Sequence, residues 1–265
     1  MNGRRDPQRA QEIEVCQLGL VPYGEALAIQ RELRERRLAG EIADVLLLLE
    51  HPPTYTRGRR ASAAELPFPV SFYEARGAEV HATDRGGRIT YHGPGQLVGY
   101  PIMAVGDVHL HLRTMERAII TALGEAGVTA HSRHEEGPDY TGVWVQERKI
   151  ASLGVHVSRG ISTHGFAVNL ENDLEPFSWV IACGLPDVAM TSLAAETAGT
   201  GERLGCFRKR MAYAFCAAHG RRQRLVTPAR LGIAPRDPSR PALRRAPQDH
   251  GVSEPIAAYS VAVPR

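Results

Sequence analysis

The chain has 265 residues, room for one large domain or at most two, and its 43% apolar and 23% charged residues are the balance of a soluble globular protein. A formal net charge of +3, with no basic cluster interleaved with aromatics, gives no footing for nucleic-acid binding, and no apolar run approaches membrane-spanning length. The opening MNGRRDPQRAQEIE lacks the apolar middle of a secretory signal, so the expected location is cytoplasmic. Cys16, Cys183, Cys206 and Cys216 show no paired spacing and are expected as free thiols in a reducing compartment.

In chain order, IEVCQL (13–18) reads as a strand, and Tyr23 to Leu38 reads as an amphipathic helix introduced by Pro22 and stopped by Gly40. DVLLLLE (44–50) is a continuous apolar run of strand length, expected as a central strand. The proline-rich HPPTYTRGRR then reads as a loop, and 79–83 and 96–103 as strands flanking a glycine-rich segment. Leu110 to Ala126 has helical spacing. GVWVQ and KIASLGVHV form a hairpin about Glu147 and Arg148, FAVNL (166–170) is a further strand, WVIACGLP breaks into a turn, and 203–219 is a last helix. The irregular alternation argues for an α/β domain with a mixed sheet covered by helices, not a doubly wound fold. Seven of the 18 prolines lie from Pro228 onward. The expected organisation is a flexible 1–10, a single domain over 11–220, and an extended or disordered Pro/Arg-rich tail over 221–265.

Three segments carry chemistry. DRGGRITYHGPGQLVGYP (84–101) holds Gly86, Gly87, Gly93, Gly95 and Gly99 but matches neither GxGxxG nor the P-loop pattern. Its alternatives are a tight hairpin or a wall that lets a slender ligand lie against backbone, framed by Arg85 and His92. In KIASLGVHV, strand alternation puts Lys149 on one face with Ala151, Leu153, Val155 and Val157. Only Lys149 and Lys209 are lysines among the 32 basic residues, so a lysine here asks for a reason beyond snorkelling to water. In WVIACGLPDVAMTSL, Cys183 precedes a Gly-Leu-Pro turn that can present its sulfur, whereas Cys16, Cys206 and Cys216 fit inert core positions. His109 with His111 and His131 with His134 lack a convergent third ligand, and no HExxH is present, so no metal is expected.

RGGRITYHGPGQLVGYP (85–101), KIASLGVHVSRGISTHGFAVNL (149–170) and ACGLPDVAMTSL (182–193), with HPPTYTRGRR and TGVWV, resemble the lipoyl(octanoyl) transferase family over roughly residues 13–218. The resemblance implies a single α/β domain like the catalytic domains of biotin and lipoate protein ligases. It implies transfer of octanoyl from octanoyl-acyl carrier protein to a lysine of lipoyl domains in 2-oxoacid dehydrogenase complexes and the glycine cleavage H protein, the first step of endogenous protein lipoylation. By the same resemblance Cys183 is the acyl-thioester nucleophile and Lys149 its partner, with no cofactor. Arg85, Gly86, Gly87, Arg88, Ile89, Thr90, Tyr91 and His92, then Ser152, Leu153 and Gly154, then Gly165, Phe166 and Ala167, would line the acyl site. Arg57, Arg59 and Arg85 are candidates for steering acidic partner domains. The competing reading is an ATP-dependent lipoate or biotin ligase of the same fold.

Overall fold

The computed structural model describes residues 11–201 and 203–234. Eight strands form one mixed sheet: β1 (Glu12–Leu20), β2 (Val45–Glu50), β6 (Gln96–Ile102), β7 (His131–Ser132), β8 (Gly142–Val145), β9 (Arg148–Ser158), β10 (Ile161–Asn169) and β11 (Arg222–Val226), in spatial order β11-β1-β2-β6-β10-β9-β8-β7. β11, β1 and β2 run parallel, and every later neighbour is antiparallel. A second sheet, β4-β3-β5, is made from β3 (Thr54–Arg57), β4 (Glu79–Ala82) and β5 (Ile89–His92).

The apolar run of β2 explains where the sheet sits. Leu46 and Leu48 face a core shared with α3 (Val108–Glu125) and α5 (Leu204–Ala218), while Val45, Leu47 and Leu49 face the core under α1 (Tyr23–Leu38). A strand covered on both faces needs apolar residues at every position, which is what Val45 to Leu49 supplies. Asp107 starts α3 by accepting from the amides of His109 at 2.8 Å and Leu110 at 3.1 Å. Two short helices, α2 (Val70–Glu74) and α4 (Leu193–Glu196), complete the elements. Tyr55, Tyr73, Ile89 and Tyr91 form a third core beneath the small sheet. No helix among the described residues is long and apolar enough to cross a membrane.

Two expectations need correction. HPPTYTRGRR is not all loop: Thr54–Arg57 pairs with both β4 and β5, its prolines confined to the approach. The domain also continues past residue 220. β11 pairs in parallel register with β1, Arg221 makes an ion pair with buried Asp44, and Leu231 is buried in the core under α1. β11 escaped notice because it is an edge strand of sequence RQRLV, held by backbone bonds, with Leu225 65% exposed. Residues 1–10 and 235–265, where the rest of the expected termini fall, lie outside the described residues.

Candidate active site

Cys183 occupies a 3-10 turn, Ala182–Gly184, in the left-handed conformation at φ 58°, and Gly184 follows at φ 72°. A left-handed non-glycine residue costs about 1–2 kcal/mol, so the surrounding structure must impose it. The constraint is visible: the Ile181 amide donates to Glu65 O at 3.0 Å, the Leu185 amide to Ala182 O at 3.1 Å, and a Cβ on Gly184 would sit 2.2 Å from Cδ of Arg88. The turn leaves Sγ 3.8 Å from the Ser152 hydroxyl on β9, facing a cavity of about 580 Å³.

Lys149 reaches the same cavity from the start of β9. Its amide donates to Ala189 O at 2.9 Å, and its carbonyl accepts from the Thr191 amide at 3.0 Å, so the segment after the cysteine turn is laced onto the lysine's strand. The side chain is 1% exposed, with Nζ 5.1 Å from the centre of the Trp144 ring, and no described carboxylate lies within ion-pair distance. A β-bulge places Trp144 opposite Lys149 and Val143 opposite Ala151, leaving Ile150 as the extra residue. The expected alternation of Lys149 with Ala151 is therefore broken, and the bulge re-aims the lysine. Gly142 permits this: a Cβ there would meet Lys149 Cε at 2.5 Å and Ala151 O at 2.6 Å.

Every cavity residue expected from the sequence, Tyr91 excepted, lines this space together with Cys183 and Lys149. β5 alternates, so Thr90 and His92 face the cavity, whereas Tyr91 turns to the small-sheet core beside Tyr55 and Phe177. The glycines serve the packing of backbone on backbone. A Cβ on Gly154 would lie 2.7 Å from Gly86 O, one on Gly58 2.4 Å from Gly87 O, and one on Gly165 2.2 Å from Gly99 O. The wall along the cavity is thus made of main chains in contact, and Gly87 additionally needs its positive φ of 86°.

Arg85 is the buried pin of that wall, 8% exposed and not a surface charge. Its guanidinium donates to Thr56 Oγ1 and O, to Gly86 O and to Arg88 O at 2.6–3.2 Å. Burial lowers its pKa, with Tyr23, Cys183 and Tyr100 acting in the opposite direction. Arg88 spans the mouth, paired with Glu65 at 2.7 Å and with Asp139 at 3.2 Å, which also holds Arg60 at 3.0 Å.

Of the far end of the cavity, only His92 is expected from the sequence. That end is lined by Tyr23, His92, Tyr100 and His164, all buried. His51 Nδ1 donates to Val21 O and Nε2 accepts from Tyr100 Oη, both at 2.7 Å; His92 Nδ1 donates to Gln96 Oε1 at 2.7 Å. His164 Nε2 donates to Asp84 Oδ1 at 2.7 Å, and its Nδ1 lies 3.5 Å from Tyr23 Oη. Each ring has a partner for the neutral form. Burial holds His51 down at about 4, His92 well below the ordinary histidine range and His164 below it, while the His164 hydrogen bond lowers Asp84. His164 carries φ 56°, a backbone outlier that no sequence pattern announces. Tyr23 had registered only as the first residue of a helix.

The remaining thiols differ in kind. Cys16 and Cys216 are buried, with thiols pushed up by burial to about 11 and about 12. Cys206, expected in the core, is exposed on α5.

Residues 22–215 match the family model of the lipoyl protein ligase A/B catalytic domain. An octanoyltransferase of Rubrobacter xylanophilus is 48% identical over 194 residues, covering 71% of this chain and 86% of the relative. One of Mycobacterium bovis is 44% identical over 212 residues, covering 78% and 86%. Among solved structures, a lipoate-protein ligase A bound with ATP superposes with a TM-score of 0.68 at 18% identity, over 82% of this chain and 89% of that one. The bipartite lipoate protein ligase of Thermoplasma acidophilum gives 0.65 at 15% identity, over 86% and 99%. At such identities the structures speak for the fold alone, a single mixed α/β domain, while the family match and the two close relatives settle descent: the chain belongs to the lipoyl protein ligase A/B catalytic domain family.

Proposed function

We propose that this chain is an acyltransferase that moves an octanoyl group from octanoyl-acyl carrier protein to a lysine of a lipoyl domain through a thioester on Cys183. The observation that carries the reading is the convergence of Cys183, on its left-handed turn, and buried Lys149 on one cavity walled by close-packed main chain. Relatives at 44–48% identity are named octanoyltransferases, which supports the acyl group chosen.

From the thiolate–ammonium pair, the Cys183 sulfur adds to the donor's thioester carbonyl, the bond to the carrier's sulfur breaks, and the departing thiolate takes a proton from Lys149. The acceptor's amine then adds to the Cys183 thioester and gives its extra proton to neutral Lys149. Collapse forms the amide, releases the Cys183 thiolate and restores the ammonium. An amide replaces a thioester, so the step runs downhill with no activated nucleotide. The acceptors in this reading are lipoyl domains of 2-oxoacid dehydrogenase complexes and the glycine cleavage H protein, and the reaction is the first step of endogenous protein lipoylation.

Intact-mass measurement after incubation with octanoyl-acyl carrier protein tests the reading. One octanoyl adduct on Cys183, removed by hydroxylamine and discharged onto a lipoyl domain without ATP, is the expected result. Acyl transfer that appears only with ATP would establish the ligase reading in its place.

A further inference from the structure

The cavity's closed end contains a residue on an unexpected side of its strand. In β10, alternation puts Phe166 and Val168 on the face covered by α3 and α5, and Ala167 on the face under α1. His164 should share the side of Phe166. With φ at 56° it instead meets Tyr23 of α1, with the Tyr100 ring 6.3 Å away and Asp84 at 2.7 Å. The strained backbone carries one side chain across the sheet to seal one space.

The seal is a single residue thick. The His164 side chain is 2% exposed, whereas its partner Asp84 is 47% exposed, so solvent begins immediately behind the ring. The position is also specific. β9 and β10 pair Ser152 with Ala167 and Val155 with His164. Three residue steps separate the two pairs, about 10 Å at ~3.3 Å per residue. Sγ of Cys183 lies beside Ser152. An octanoyl chain has seven C–C bonds, which at ~1.5 Å each in a staggered zigzag reach roughly 9 Å.

We infer that His164 is the residue that limits acyl length, a plug held by Asp84 and Tyr23 that ends the cavity where an eight-carbon chain ends. The inference rests on the acyl-transfer reading above. A longer chain must push the imidazole outward and break its hydrogen bond to Asp84, because the neighbouring Tyr100 and His92 are already committed to His51 and Gln96. Neutral, mutually satisfied groups present no unpaired donor to the terminal methyl, so an aliphatic end is accepted there.

The test is competition among octanoyl-, decanoyl- and dodecanoyl-acyl carrier proteins, read as kcat/KM and as the mass distribution of the Cys183 adduct. The wild type should lose at least tenfold between eight and twelve carbons. His164→Gly adopts the left-handed backbone without strain and opens the cavity toward solvent, and should raise the twelve-to-eight ratio at least tenfold. Asp84→Ala, which alters only the outer anchor, should raise it in the same direction by less. Equal use of eight and twelve carbons by the wild type overturns the inference irrespective of how the variants fold, as does a folded His164→Gly that keeps the wild-type ratio. Absence of an adduct from every donor overturns the transfer reading, and the length limit with it.

Discussion

The two ends of the cavity are built on opposite principles. At the mouth, Cys183, Lys149 and Arg88 are held by an irregular turn, a β-bulge and partly buried ion pairs, and charge is concentrated there. At the closed end, Tyr23, His92, Tyr100 and His164 are buried, uncharged and joined by hydrogen bonds that use up their polar atoms. In the proposed mechanism, proton movement and partner exchange fall to one end and the grip on a hydrocarbon to the other, so the two demands are separated along one sheet. Substitutions at the mouth should therefore alter turnover, and those behind the closed end should alter stability.

The strongest way to break this division is Cys183→Ala, which should remove the adduct and lower transfer by at least about 10³-fold while leaving the melting temperature close to wild type. Transfer by this variant within tenfold of wild type would remove the covalent step. Lys149→Arg should lower kcat by roughly 10²-fold, because guanidinium keeps its proton where the second half-reaction needs a base. Alkylation of Cys183 should persist in that variant, and a near-normal kcat would reduce Lys149 to a fixed charge.

The other end should show in stability. His51 titrates near 6.5 in the unfolded chain and at about 4 in the fold, so between those values the unfolded state binds more protons and stability falls as pH falls. The loss from this one ring is on the order of 3 kcal/mol by pH 4. His51→Gln, compared with wild type by melting temperature at pH 7.5 and pH 4.5, should show the shallower decline; equal slopes would mean that the ring does not carry the acid sensitivity. The smallest effect belongs to neither end. Chains ending at residue 220 should melt about 5 °C or more below chains ending at residue 234, since the shorter form loses β11, the Arg221–Asp44 pair and buried Leu231.

The mouth was largely legible in the sequence and the closed end was not, for a physical reason. A cysteine before Gly-Leu-Pro and a lone lysine in an arginine-rich chain are chemical anomalies, visible without coordinates. Their convergence on one cavity needed the Lys149–Met190 bridge, which only tertiary structure supplies. Tyr23, Tyr100 and His164 look ordinary in sequence, as a helix start and two strand residues. Their meeting depends on strand order, and for His164 on a backbone angle that reverses the usual alternation. The glycines of 84–101 stand out in the sequence, but what crowds them is the chain itself: backbone of Val155 and Asn172 at Gly86 and Gly95, and side chains of Arg85, Tyr91 and Phe166 at Gly87, Gly93 and Gly99.

The scarcity of lysine acquires a further meaning once both lysines are placed. A thioester on Cys183 would be an acylating agent, and any nearby primary amine could drain it into a dead product. Of the two amines that lysine side chains provide, Lys149 is the proposed base itself, with Nζ beside the Trp144 ring, and Lys209 is exposed on α5. Every other basic side chain is a guanidinium, which binds acidic surfaces as firmly as an ammonium does but is a far poorer acyl acceptor. The surface can thus attract carboxylate-rich visitors without competing for the acyl group it is meant to hand over.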